Sequence, residues 1–298
     1  VTAAPPLLFD RHLIAARLDR AIRASVAGAD FLLRRASEEL ADRIGLVSRA
    51  FPFAADVGTP GPHAAEVLAA RAGGGVTLRL APTWPSAGNG DFARAVGDAE
   101  RLPLSPGRFD LIVSLLALHN VNDLPGALIQ IRAALRPDGL WLAAIPGGDT
   151  LTELRQSLMI AESEMAGGAA PRVAPFVDVR ALGALLQRAG FALPVVDADR
   201  AVVRYAGLGA LMRDLRAFGA TNALSARSRT PPRRELFARA AAIYAERFAD
   251  PDGRLRATFD TLWVSGWSPH ASQPKPLKPG SATARLADAL RFPPRPVE

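Results

Sequence analysis

The chain has 298 residues, 49% of them hydrophobic, enough to bury roughly three quarters of its unfolded surface around one core, so a second domain is not required. It contains no cysteine, which excludes disulfides, thiolate catalysis and Cys-based metal sites and leaves four histidines as nitrogen ligands; no metal site is expected. The net charge of +7 is almost wholly arginine scattered among alanines, Lys275 and Lys278 being the only lysines; without interleaved aromatics this argues against nucleic acid and for solvated helix faces, with an acidic protein partner or an anionic membrane surface as the weaker reading.

Apolar residues at three- and four-residue steps predict helix over 17–47, broken near Gly28. A strand over 51–57 runs into the turn Gly58-Thr59-Pro60-Gly61, followed by a helix over 64–71. Further strands are expected at 76–80, 95–97 and 109–116, the last apolar enough to be buried on both faces. A helix over 123–135, capped by Asn122 or Asp123 and ended by Pro137-Asp138-Gly139, leads to a strand over 140–145. Strands alternating with helices imply right-handed crossovers and a largely parallel sheet, whose ligands lie beyond the carboxyl ends of the strands. Beyond Pro146 the pattern predicts helices over 150–165 and 179–189, a strand over 195–205, helices over 208–218 and 235–248, and a closing strand over 257–264. The expected organisation is a single domain over 1–298: helical lead-in 1–50, sheet core 51–205 and 255–267, helical insertion 206–254, and Pro-rich tail 268–298.

No apolar run reaches the ~20 residues of a spanning helix, and no basic region followed by an apolar signal core opens the chain. The expectation is a cytoplasmic protein, with peripheral attachment to the inner membrane as its one membrane contact.

Five segments follow strands, one after each of the first five. In Asp56-Val57-Gly58-Thr59-Pro60-Gly61-Pro62 the glycines let backbone approach a ligand at a helix start, yet Pro60 and Pro62 remove donors; a plain strand-to-helix turn accounts for the pattern equally well. Leu80-Ala81-Pro82-Thr83 offers no acid to accept from ribose hydroxyls. In Gly97-Asp98-Ala99-Glu100, Asp98 either accepts from an adenine amino group or caps a surface turn. After the fourth strand, Leu118-His119-Asn120-Val121-Asn122 puts His119 over the expected cleft as a general base or polar anchor, the alternative being a buried histidine bonded to backbone. Beyond the fifth, Gly147-Gly148-Asp149-Thr150 precedes Glu153 at capping-box spacing, and Arg155 either clamps a carboxylate or a protein segment or forms a surface ion pair. No HExxH, P-loop, GxSxG or paired-histidine cluster occurs.

GDAERLPL, FDLIVSLLALH, VNDLPGALIQIRAALRPDGLWLAAI and LLQRAGF succeed one another in an order that resembles class I S-adenosylmethionine-dependent methyltransferases. LFDRHLIAARLDRA, GGDTLTELRQSL, PRVAPF and GWSPHASQPKPLKPGSA are similar to the methyltransferase-like assembly factors of respiratory complex I and their alphaproteobacterial relatives; LMRDLRAFGATNA is shared more distantly with the malonyl-carrier-protein methyltransferases of biotin synthesis. The resemblance implies a Rossmann-like α/β fold, a mostly parallel seven-stranded sheet with an antiparallel last strand, helical lid insertions and S-adenosylmethionine at the strand ends. It implies a cofactor contact set of Asp56, Gly58, Gly61, Asp98, Ala99 and Leu118, catalytic candidates His119, Arg155 and His270, and substrate or partner contacts from Asn122, Asp149 and Gln273. The tail, with Trp267, His270 and Gln273, is expected to fold back over the cleft.

The implied task is modification of a complex I subunit, described for the mitochondrial relatives as arginine hydroxylation. The prolinated turn, the missing ribose acid and Asn120, where close relatives carry an aromatic, all depart from the family around the cofactor. They keep open a cofactor-free assembly protein, and a small-molecule or acyl-carrier O-methyltransferase stands third.

Overall fold

The computed structural model describes residues 7–71, 75–166 and 168–274. Two helices lead in, α1 (Arg11–Ala24) and α2 (Phe31–Gly45), separated where Ser25 and Gly28 adopt positive φ. The sheet region follows as β1 (Phe53–Val57), α3 (His63–Arg71), β2 (Val76–Ala81), α4 (Trp84–Ala87), β3 (Ala93–Val96), β4 (Phe109–Leu115), a 3₁₀ turn (Leu118–Asn120), α5 (Leu124–Ala134) and β5 (Leu135–Pro146). The remainder is α6 (Thr152–Ala166), α7 (Val179–Arg188), β6 (Ala192–Tyr205), α8 (Leu208–Ala217), α9 (Arg234–Phe248) and β7 (Leu255–Trp267).

The seven strands form one sheet in the order β3-β2-β1-β4-β5-β7-β6. β1 to β5 pair in parallel, as crossover helices require, and only β7 runs against its neighbours β5 and β6. All seven residues of β4 are buried because helices cover both sheet faces. On one face Leu128 and Ile131 of α5 and Leu182 and Leu186 of α7 pack on Ile112, Trp141 and Ala143. On the other, Leu33 and Leu40 of α2 and Leu68 of α3 pack on Leu111, Val113 and Trp263. A third cluster joins α6, α8 and α9 to the first half of β7 through Leu154, Leu211, Tyr244 and Phe259.

Two local expectations need correction. Thr150 and Glu153 do not close a capping box: Thr150 Oγ1 donates to Asp260 O, and Glu153 accepts from the Thr258 N–H and hydroxyl, so both side chains fasten α6 to β7. The short helix α4 was not expected; Thr83 caps it in a reciprocal bond with Ser86, and Pro85 occupies its first turn.

The tail expectation fails for its described residues. Because β7 is antiparallel, it ends at Trp267 beside Leu140, near the start of β5, and the chain leaves at the sheet edge opposite the carboxyl ends of β1 to β5. Ser268 exchanges backbone hydrogen bonds with Asp138 and Gly139, Gln273 donates to Asp138 Oδ1 at 2.9 Å, and His270 Nδ1 pairs with Ser272 at 2.7 Å. His270 and Gln273 therefore build a clasp on the β5 turn, remote from the cleft, and positions 275–298 lie outside the described residues.

Candidate active site

β1 delivers Asp56, Val57 and Gly58 to the carboxyl edge of the sheet. Gly58 has φ +75°, a conformation other residues avoid, and its N–H donates to Leu80 O on β2. The turn is braced from below by a residue that pattern reading missed. Arg79, directly beside Asp56 in the parallel ladder, is wholly buried and donates to the Asp56 carboxylate and to the carbonyls of Thr59 (2.7 Å), Ser86 (2.7 Å) and Ala87 (2.9 Å). Thr59 in turn donates its hydroxyl to Asp56 and accepts from the Leu115 N–H at 3.0 Å. The signal was an arginine inside the apolar run Thr77-Leu78-Arg79-Leu80-Ala81, which a buried strand tolerates only with a full set of acceptors.

Asp56 is thus no cofactor contact. It is fully enclosed, and burial drives its carboxyl above the ordinary value against the opposing pull of Arg79 and Thr59. Leu118, 1% exposed, is likewise a core residue and not a cleft residue.

Above this turn lies a cavity of about 570 Å³. Its floor includes Gly58, Pro60, Gly61, Pro82, Gly97 and Ala99, at the ends of β1, β2 and β3. Ile14, Leu18 and Ile22 of α1 roof it, which explains how an amphipathic helix can have no buried residue: its apolar face looks onto open space. Asp98 is turned to this roof, accepting from Arg11 and from the Glu100 N–H, while Arg11 also donates to Asn120 O at 3.1 Å. Asp98 therefore caps its own turn, as the alternative reading expects, and in addition ties the lid through Arg11; it is not among the described residues that line the cavity.

His119 lies in the 3₁₀ turn after β4, half-buried, its ring 5.9 Å from Phe176. Its Nδ1 is sealed and has no partner among the described residues. Burial lowers its pKa to about 4, so the ring is neutral at physiological pH and offers one donor and one acceptor. His119 also borders a second cavity of about 620 Å³, reached past Phe176 and roofed by the segment after α8.

The other candidates are not brought to this point. Asn122 accepts from the Phe9 N–H at 2.7 Å and donates to Phe9 O, pinning the N-terminal segment. Asp149 pairs with Arg200 on the surface. Arg155 finds no carboxylate; it donates to Gly148 O and Thr150 O and lies over Phe176 at 5.9 Å, shaping the wall without lining either cavity.

The cavity suits an adenosyl group in shape and only partly in donors. Its volume falls within the roughly 300–1,000 Å³ of small-ligand sites and the floor is kept low by glycine: a Cβ on Gly97 would meet Leu80 at 2.7 Å, and one on Gly61 would meet His63 at 2.8 Å. Asp30 is the sole carboxylate among the described lining residues, and it is held by His63 at 3.0 Å and Arg34 at 3.0 Å. A ribose diol has no free acidic acceptor there. Among the described residues, no cluster of three or more His, Cys, Asp or Glu is placed to hold a metal ion, and no helix is long and apolar enough to cross a membrane.

A seven-stranded sheet of this order, with its cavity over the glycine turn, defines a protein of the class I methyltransferase fold. The family model for a methyltransferase domain matches residues 56–143. The Bacillus subtilis protein YcgJ superimposes with a TM-score of 0.55 at 13% identity, over 79% of this chain and 99% of that one, a likeness of fold alone. The mitochondrial arginine-hydroxylase NDUFAF5 of Danio rerio is 42% identical over 88% of this chain and 83% of its own, and that of Homo sapiens 38% over 94% and 83%. The malonyl-[acyl-carrier protein] O-methyltransferase of Laribacter hongkongensis is 36% identical over 91% and 94%. The chain belongs to the methyltransferase family that contains the NDUFAF5 arginine hydroxylases.

Proposed function

We propose that this protein is an enzyme that modifies a side chain of a respiratory complex I subunit. The observation that carries the reading is the meeting of two cavities at His119: one sized for an adenosyl group over the Gly58 turn, the other open to a polypeptide under the segment after α8. Similarity to the arginine-hydroxylase NDUFAF5 over 88% of the chain supports arginine as the modified side chain; methyl transfer to it balances with S-adenosylmethionine as donor, whereas hydroxylation requires dioxygen and a two-electron reductant as further co-reactants. Gly58, Gly61, Gly97 and Ala99 would hold S-adenosylmethionine, which supplies an activated methyl group when bound. The neutral His119 ring would hydrogen-bond the incoming side chain at the junction and hold it in place, its low proton affinity suiting it to positioning and not to proton abstraction. Phe176, fixed beneath Arg155, narrows the passage between the cavities.

Deleting the gene is expected to lower NADH:ubiquinone oxidoreductase activity, with restoration by the wild-type chain and none by His119→Ala at equal protein level. Normal complex I in the deletion strain would overturn the reading. A second reading, a binding protein that assists assembly without catalysis, is favoured by Pro60, Pro62 and the missing ribose acid; full rescue by His119→Ala would select it.

A further inference from the structure

The second cavity is electropositive in a way that separation along the chain conceals. Arg17 of α1, Arg172 before α7, Arg216 of α8 and Arg227 and Arg229 beyond it all line its wall, and no Asp or Glu is among the described lining residues. Two of the five have a carboxylate, Arg172 with Glu162 and Arg227 with Asp10. Arg17, Arg216 and Arg229 have none among the described residues.

Arg17 is held in place by the carbonyls of Thr221 (2.8 Å) and Asn222 (2.5 Å), so its charge is fixed at the wall without a carboxylate in contact among the described residues, the Asp10 carboxylate acting on it only from a distance. Burial and then the nearby charges of Arg227 and Arg20 disfavour that charge, the expected effect of like charges gathered in a partly enclosed space. Such an arrangement costs stability in the empty protein and is relieved by an anion. The rest of the wall, Thr221, Asn222, Ser228 and Thr230 beside Phe9, Met212 and Phe237, is mixed polar and apolar, as a polypeptide with several side chains requires and a single small ion does not.

We infer that this cavity binds an acidic polypeptide segment, whose carboxylates pair with Arg17, Arg216 and Arg229 while an adjoining residue reaches His119. The inference rests on the functional reading above and deepens it, since it assigns the chemistry of the sequence surrounding the modified residue. A target guanidinium approaching alone would be repelled by this wall; carboxylates beside it in sequence would carry it in.

The test uses the full chain and rhodamine-labelled hexaglutamate, hexaglutamine and hexalysine peptides in fluorescence anisotropy. Hexaglutamate is expected to bind, with affinity falling as salt rises, and the other two are not. Arg216 and Arg229 are exposed and make no side-chain bond among the described residues, so Arg216→Ala/Arg229→Ala should fold normally and weaken binding by about five-fold. The reversed pair Arg216→Glu/Arg229→Glu should abolish it. Equal binding of hexaglutamine, or hexaglutamate binding unchanged by the reversed pair, overturns the inference, as does displacement of the peptide by inorganic phosphate at submillimolar concentration, which would mark a phosphate site. Peptide binding with these properties alongside normal complex I in the deletion strain would leave the acidic-segment site standing and remove only its assignment to complex I.

Discussion

At the scale of single residues, the Asp56–Arg79 pair decides whether the glycine turn holds its shape. Both side chains are completely enclosed, and Arg79 serves three carbonyls besides the carboxylate. Arg79→Ala strands a buried carboxylate and unsatisfied carbonyls, and should cost about 3–5 kcal/mol in urea unfolding, whereas exchanging both partners for apolar residues of similar volume should cost much less. A loss under about 1 kcal/mol for Arg79→Ala would show that water or rearrangement replaces the guanidinium. His119 makes a prediction of the opposite chemical kind. Its pKa is near 4 in the folded chain and about 6.5 when unfolded, so between those values the unfolded chain binds the extra proton. Its contribution to stability is therefore level above pH 6.5 and declines as pH falls toward 4. The stability difference between wild type and His119→Phe, followed by urea midpoint, should show that decline, and a difference independent of pH across the window would refute it.

At the scale of elements, α1 is a lid by construction. It has no buried residue, its apolar face covers a cavity, and its ties are a few polar bonds: Arg11 to Asp98 and Asn120 O, Asp19 to Thr83, and Arg17 to Thr221 O and Asn222 O. Arg11→Ala should accelerate amide exchange in α1 while leaving the exchange of β4 unchanged, with a global stability change within about 1 kcal/mol because the bond is partly exposed. Equal acceleration in β4 would mean that α1 is part of the core. β7 sits at the other extreme. Trp263, 1% exposed under the Arg43 guanidinium, packs with α2 and β4, and Trp263→Ala should cost about 3–5 kcal/mol in the same urea assay.

At the scale of the whole molecule, the architecture keeps a cavity over the glycine turn whose described lining includes two prolines, Pro60 and Pro82, and no free carboxylate. S-adenosylmethionine is expected to bind with a dissociation constant no tighter than about 100 μM by calorimetry, since a lost bidentate acceptor and lost turn donors remove a few kcal/mol. Pro82 lines the cavity at the exit of β2, and Pro82→Asp would add to that wall a carboxylate able to accept from ribose hydroxyls. That substitution should tighten adenosyl binding about ten-fold, in line with a charged hydrogen bond. Micromolar binding by the wild type, or no gain from Pro82→Asp, would show that other groups have taken over the ribose.

Sequence pattern alone was enough for the order of the strands and of every helix but α4, because period and turn chemistry are local: the apolar run of β4, the break at Gly28 and the Asp123 cap of α5, which accepts from the Gly126 N–H, all stand where the residues imply. It also predicts Gly58, Asp98, His119 and Gly147 around one cleft, since each follows a strand; Gly58 and His119 do line the cavity, whereas Asp98 turns to Arg11 and Gly147 is not among the described lining residues. Long-range partners were invisible to it. Whether Asp56 faced a ligand depended on an arginine 23 positions later, whether Thr150 capped its own helix depended on Asp260, and which edge the tail reached depended on the direction of β7. The five arginines of the second cavity span 17 to 229 and look like solvated surface one at a time. Their charge acquires meaning only when α1, α8 and the connecting segments enclose a common space, because field strength depends on distance and shielding, and neither is written in the order of residues.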